Sequence, residues 1–116
     1  MNILANNSFY TIWNEYETTF LTISKKKKNI VIGDFYGDPE CAIIDKYNKF
    51  CVVGGCGIII YYFKRPFLPY KYNTNCTQWK EYYRDGSIYV INIIQLDRNR
   101  IEIIFENGEK EIIQVL

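Results

Sequence analysis

Three carboxylates, Asp34, Asp38 and Glu40, fall within seven residues of the stretch GDFYGDPECAIID, which runs from Gly33 to Asp45. Two acids at a suitable separation can act as the acid and the base, or the acid and the nucleophile, of a glycosidase. Acids at alternate positions of a twelve-residue loop can hold calcium, but this spacing does not follow that pattern. The four cysteines, Cys41, Cys51, Cys56 and Cys76, include no C-x-x-C pair, and the chain has no histidine. That spacing disfavours a structural zinc site, and the missing imidazole excludes Cys–His and Ser–His nucleophiles. Carboxylates gathered in a turn are common, and a chain of 116 residues leaves little room for a catalytic cleft. The residues point away from an enzyme, a metal site or a cofactor. What remains open is a surface that meets a partner, beside Phe35 and Tyr36, or a solvated turn.

The elements that position these acids read as strands. Aromatic residues make up 17% of the chain, 11 of them tyrosine, and isoleucine is abundant. Such residues fit a pleated, half-buried surface. The spacing of turn signals predicts a single domain over residues 1–116 with eight to ten strands. The expected fold class is all-β, mainly an antiparallel meander, arranged as a curved sheet, a sandwich or a partly open barrel. At most one short helix is expected, a single turn near Gln78.

Individual segments carry this reading. Ser8–Trp13 reads as an edge strand. Thr18–Ser24 and Asn29–Ile32 read as strands joined by the lysine run 25–28, a solvated turn or a phosphate-contacting tip. Cys41–Ile44 and Phe50–Val53 flank a turn at Lys46-Tyr47-Asn48, where Asn48 can take the left-handed conformation. Gly54-Gly55 reads as the next turn, and GGCG is no phosphate loop because neither GK[ST] nor a helix pattern follows. SIYVINIIQL, Ser87–Leu96, reads as a central strand covered on both faces. Two-residue turns at Arg98-Asn99 and Asn107-Gly108 would place Ile94 and Ile112 opposite Ile103, and Leu96 opposite Ile101. All four cysteines are expected as free thiols, with Cys41 and Cys51 diagonal neighbours on one face. The segment Arg65–Arg84, with Pro66 and Pro69 blocking ladder hydrogen bonds, is a core lid or a binding loop.

Charge is segregated along the chain despite a net of only +1. Residues 1–40 carry a net of −1, residues 41–80 a net of +5 and residues 81–116 a net of −3. Separate acidic and basic regions can steer an oppositely patterned partner. The N-terminus has no basic leader, and the longest uncharged run, Phe50–Phe63, is shorter than the roughly 20 residues that span a bilayer. A cytoplasmic protein without membrane contact is expected.

The stretch GDFYGDPECAIIDKYNKFCVVGGCGIIIYYF, Gly33–Phe63, resembles bacterial immunity proteins that accompany polymorphic toxins and contact-dependent growth inhibition systems. The similar features are the G-D-F-Y-G-D-P turn, a short strand, a D-x-x-N turn, and a glycine pair before an apolar strand. The likeness covers roughly a quarter of the chain. It implies a protein that binds one cognate toxin domain, often a nuclease, and blocks it without chemistry of its own. Basic nuclease clefts call for carboxylates beside aromatic anchors. The candidate partner-binding residues are therefore Asp34, Tyr36, Asp38 and Glu40 on the turn and Trp79, Glu81 and Tyr82 on the aromatic segment, with Glu102, Glu109 and Glu111 next in line. The alternative is a small β-barrel binding single-stranded nucleic acid through the aromatics of residues 61–83 and the bases of the middle region.

Overall fold

The strands alternate apolar and polar residues at the two sides of the molecule and are apolar throughout in its middle, and this difference sets the layering. The computed structural model describes all residues, 1–116, as eleven strands: β1 Asn2–Asn6, β2 Tyr10–Glu15, β3 Thr18–Ile23, β4 Lys28–Asp34, β5 Cys41–Ile44, β6 Phe50–Gly55, β7 Gly57–Tyr62, β8 Trp79–Tyr82, β9 Val90–Gln95, β10 Arg100–Phe105 and β11 Lys110–Gln114. They form three antiparallel sheets, ordered β1-β2-β3-β4, β5-β6-β7-β8 and β9-β10-β11, none closed into a barrel. No helix is present that is long and apolar enough to cross a membrane.

The middle sheet is buried on both faces. Along β6 and β7, Cys51, Val53, Ile59 and Tyr61 point into one core with Ile12, Leu21, Ile30 and Ile32 of the first sheet. Their neighbours Phe50, Val52, Ile58 and Ile60 point into a second core with Ile93, Ile101, Ile103, Phe105 and Ile113 of the third. A strand covered on both sides must be apolar at every position, and that is what FCVVGG and GIIIYY supply. The chain reverses between them through Gly55, Cys56 and Gly57. Gly57 has φ +100°, and a Cβ there would lie 2.7 Å from the Tyr83 carbonyl oxygen, so no other residue fits without backbone movement.

Several expectations are corrected by one residue. Ile103 pairs with Ile93 and Glu111, and Ile101 with Gln95 and Ile113. Both turns are three-residue loops: Phe105 N–H bonds Glu109 O across Glu106-Asn107-Gly108, and Leu96 N–H bonds Arg100 O across Asp97-Arg98-Asn99. Only Gly108 of the Asn-Gly pair has positive φ, the left-handed third position of such a loop. The slip turns every side chain over. Ile113 is buried, whereas Ile94, Leu96 and Ile112 face solvent, so β9 is covered on one face only. Ile43 likewise pairs with Val52, which sends Cys41 and Cys51 into different cores. All four cysteines are free. The edge strands of the first sheet are β1 and β4, and β2 lies inside it. Asn48 does take the left-handed conformation, at φ 58°.

No helical turn forms near Gln78. That side chain is buried and makes a polar clamp instead, donating to the carbonyls of Tyr62 and Lys64 and accepting from Leu68 N–H. Tyr61 Oη donates to Leu68 O at 2.6 Å from the other side. The segment from Arg65 folds as a lid on the first core, where Tyr70 N–H bonds Val31 O and the Tyr70 and Trp79 rings pack at 5.1 Å.

Candidate functional site

Because consecutive strands run antiparallel, their connections alternate between two ends of the stack. Asn7 of the β1–β2 turn donates to Asn48 of the β5–β6 turn, and Tyr89 after β8 reaches the Asp38 carbonyl of the β4–β5 loop. The alternation sorts charge. One end carries Glu15, Glu17, Asp34, Asp38, Glu40, Asp85, Glu106 and Glu109, with Arg84 and Lys110 on its turns and Lys71 on the lid segment that reaches toward it. The other carries Lys25–Lys28, Lys46, Lys49, Lys64, Arg65, Arg98 and Arg100, with Asp45 and Asp97 as the acids of its turns.

At the acidic end, β4 finishes at Asp34 and the chain turns Phe35 inward while leaving Tyr36 86% exposed. The loop is tied down at several points. Gly37 N–H donates to Glu17 Oε2, and Glu40 N–H to Gly54 O. Arg84 lies beneath: its guanidinium sits 4.7 Å from the centre of the Phe35 ring and donates to the carbonyls of Asp34 and Cys56. Arg84 Nε is 3.1 Å from Glu81 Oε1, an ion pair whose N–H is not aimed at the carboxylate. Tyr70 Oη donates to the same Glu81 oxygen at 2.7 Å. Burial, and then this bond to a carboxylate, push the Tyr70 hydroxyl pKa upward. Burial and then the Glu40 charge do the same to Tyr89.

The arrangement leaves a cavity of about 630 Å³ bounded by Glu17, Asp34, Tyr36, Tyr72, Arg84 and Asp85. Beside it, Tyr16 is 81% exposed at the tip of the β2–β3 turn, next to Asp38 and Glu40. No three acids or cysteines are placed to share a metal ion. A ring of carboxylates with projecting tyrosines has the composition of a recognition surface, rigid aromatic area next to fixed charge.

The structure divides the residues singled out in the sequence. Asp34, Tyr36, Asp38 and Glu40 share the acidic end, and Glu81 joins them through Arg84. Trp79 does not: it is 5% exposed, packed between Tyr61 and Tyr70, so it is a core residue and cannot anchor a partner. Tyr82 points to the opposite face of β8 and packs on the second core, because neighbours along a strand face opposite ways. The pattern missed Tyr16, Glu17, Tyr72 and Arg84. EYET between two apolar strands is a legible turn signal for the first two, whereas Tyr72 and Arg84 arrive only through the folding of the lid. Set against protein-family models, curated proteins and solved structures, the chain matches none of them.

Proposed function

We propose that this chain is an immunity protein that acts in the bacterial cytoplasm, binding one cognate toxin domain, a nuclease, through its acidic end and performing no reaction itself. The observation that supports this most is the meeting of Glu17, Asp34, Asp38, Glu40 and Asp85 with three strongly exposed tyrosines, Tyr16, Tyr36 and Tyr72. A nuclease holds phosphates in a basic cleft, and a surface of this kind competes for that cleft by charge and fills it with aromatic area. Arg84 and Glu17 hold the loop in place before binding, which lowers the entropy lost on association.

The test is co-purification with the C-terminal domain of the protein encoded immediately upstream, with that domain's nuclease activity as the readout. A stoichiometric complex that silences the nuclease is expected. Asp34→Lys and Asp38→Lys should slow association, more at low salt, since charge steering is screened over a Debye length of about 8–10 Å. Tyr36→Ala should leave association nearly unchanged and speed dissociation. Folded variants that bind and protect like the parent would remove this end as the interface.

A further inference from the structure

At the opposite end lies the larger cavity, about 770 Å³, within the roughly 300–1,000 Å³ of small-molecule pockets. Its floor is apolar, built from Phe63, Cys76 and Val115, with the Tyr47 and Tyr62 rings on its walls. Lys49, Lys64, Lys80 and Arg98 stand around it, and no Asp or Glu side chain lines it. None of the four cations has a carboxylate within 4.0 Å. The two acids on the turns of this end are already committed: Asp45 is 1% exposed, accepting from Lys49 N–H and Gln95 Nε2, and Asp97 pairs with Arg100 at 2.8 Å. The cations are instead placed against ring faces and a hydroxyl. Arg98 lies 4.6 Å over Tyr47, Lys80 lies 5.8 Å over Tyr62, and Lys64 donates to Thr77 Oγ1.

Unneutralised cations around an apolar, tyrosine-walled hollow define a ligand with two parts. One part is an anion, which four positive side chains attract with no Asp or Glu side chain competing, although the terminal Leu116, whose oxygen accepts from Gln114 Nε2, also lines the pocket. The other is flat and apolar, able to stack on the outer face of the Arg98 guanidinium, whose inner face covers Tyr47, or to take the place of a cation on a tyrosine face. A bare oxyanion leaves the floor wet, and an aliphatic acid makes no use of the ring faces. We infer that this pocket binds a nucleotide unit, a planar base carrying a phosphate, either free or as one unit of a single strand. The site is separate from the acidic end and does not depend on the toxin-binding reading.

The experiment is a titration of the isotope-labelled protein, followed by amide chemical shifts, with thymidine monophosphate, an oligothymidylate ten-mer, inorganic phosphate and octanoate. The nucleotide should shift Tyr47, Lys64, Thr77 and Arg98 saturably, and bind about tenfold or more tighter than inorganic phosphate. Tighter binding of the ten-mer, with a salt slope of about −0.7 per phosphate contacted, identifies a single strand as the source. Equal binding per unit identifies the free nucleotide. Lys80 and Arg98 are solvent-exposed, so the double variant Lys80→Gln, Arg98→Gln should keep its melting temperature and lose about tenfold in affinity. The inference is overturned if phosphate or octanoate binds as well as the nucleotide, if nothing shifts these amides, or if the double variant binds like the parent. Asp38→Lys, at the far end, should bind nucleotide unchanged, which keeps this outcome apart from failure of the toxin reading.

Discussion

The two ends of the stack are made by the same device, short connections between antiparallel strands, yet they handle charge in opposite ways. At the acidic end one cation, Arg84, is drawn under the loop and spends its donors on backbone carbonyls and Glu81. The carboxylates there are left facing outward. At the basic end it is the acid that is drawn in: Asp45 is buried in the β5–β6 turn and bridges to Gln95 of β9, while the lysines face outward. In each case one ion of the minority sign organises the backbone and the majority sign is displayed. The net charge of +1 conceals this, because two opposite surfaces cancel in the sum.

The comparison can be broken most decisively through the turns and the lid. Gly57→Ala at the acidic end forces a Cβ against Tyr83 O at a positive φ, and should cost more than about 3 kcal/mol or prevent folding. Asn48→Gly, at the matching left-handed position of the basic end, should cost under about 1 kcal/mol, with only the Asn7 side-chain bond lost. Chemical denaturation of both variants checks the contrast.

Trp79→Ala should lose about 3–5 kcal/mol, since it empties the lid of the first core. Trp79→Phe should lose much less, because the indole Nε1 has no hydrogen-bond partner to forfeit. A Trp79→Ala protein that melts like the parent would return this residue to the surface.

Arg84→Met should cost about 1–3 kcal/mol by leaving carbonyls and Glu81 without their cation. It should also loosen residues 34–38, read as faster amide exchange in that loop and not in the β5–β6 turn.

Alkali should act on both ends together. Burial pushes the Cys41 thiol and the Tyr62 and Tyr83 hydroxyls up to about 12, from ordinary values of 9.0 and 10.0, with the Glu40 charge adding to Cys41. A raised folded-state pKa keeps its full stabilisation below the unfolded value and loses it as pH rises through the folded one. Stability should therefore decline from about pH 9 toward 12, as thermal melts across that range would show.

The smallest effects belong to a matched pair, Asp85 at the acidic end and Asp97 at the basic end. Ser87 donors hold the Asp85 carboxyl low; Asn99 N–H and then Arg100 hold Asp97 low. These contributions are present above the unfolded carboxylate pKa and fade as pH falls through the lowered folded values. Asp85→Asn and Asp97→Asn should each lower stability slightly at neutral pH, flatten the acid limb of the stability curve, and converge with the parent below the lowered folded values.

The all-β class and most strand positions were legible because β-branched runs and Gly, Asn and Lys turns mark them. Register was not, for a physical reason visible in β9 and β11. Each carries adjacent isoleucines, Ile93-Ile94 and Ile112-Ile113, so either face presents an apolar residue and alternation cannot choose between registers. Asn-Gly is compatible both with a two-residue turn and with a three-residue loop ending in left-handed glycine, and the cores select the second. Of the candidate site, the Asp34–Glu40 turn was readable from local composition. Arg84 was not, since its role depends on carbonyls at Asp34 and Cys56, 50 and 28 residues away.

The doubly buried β6–β7 hairpin has a consequence for how the chain comes apart. It supplies side chains to both cores, so detaching either outer sheet uncovers one apolar face of the same two strands whose other face holds the remaining sheet. Opening one side leaves one apolar face of FCVVGGCGIIIYYF, a stretch without charge, open to water, the kind of segment that recruits copies of itself. Loss of the molecule therefore proceeds as a single event, and the hairpin's amides exchange with solvent only at the cost of the whole structure.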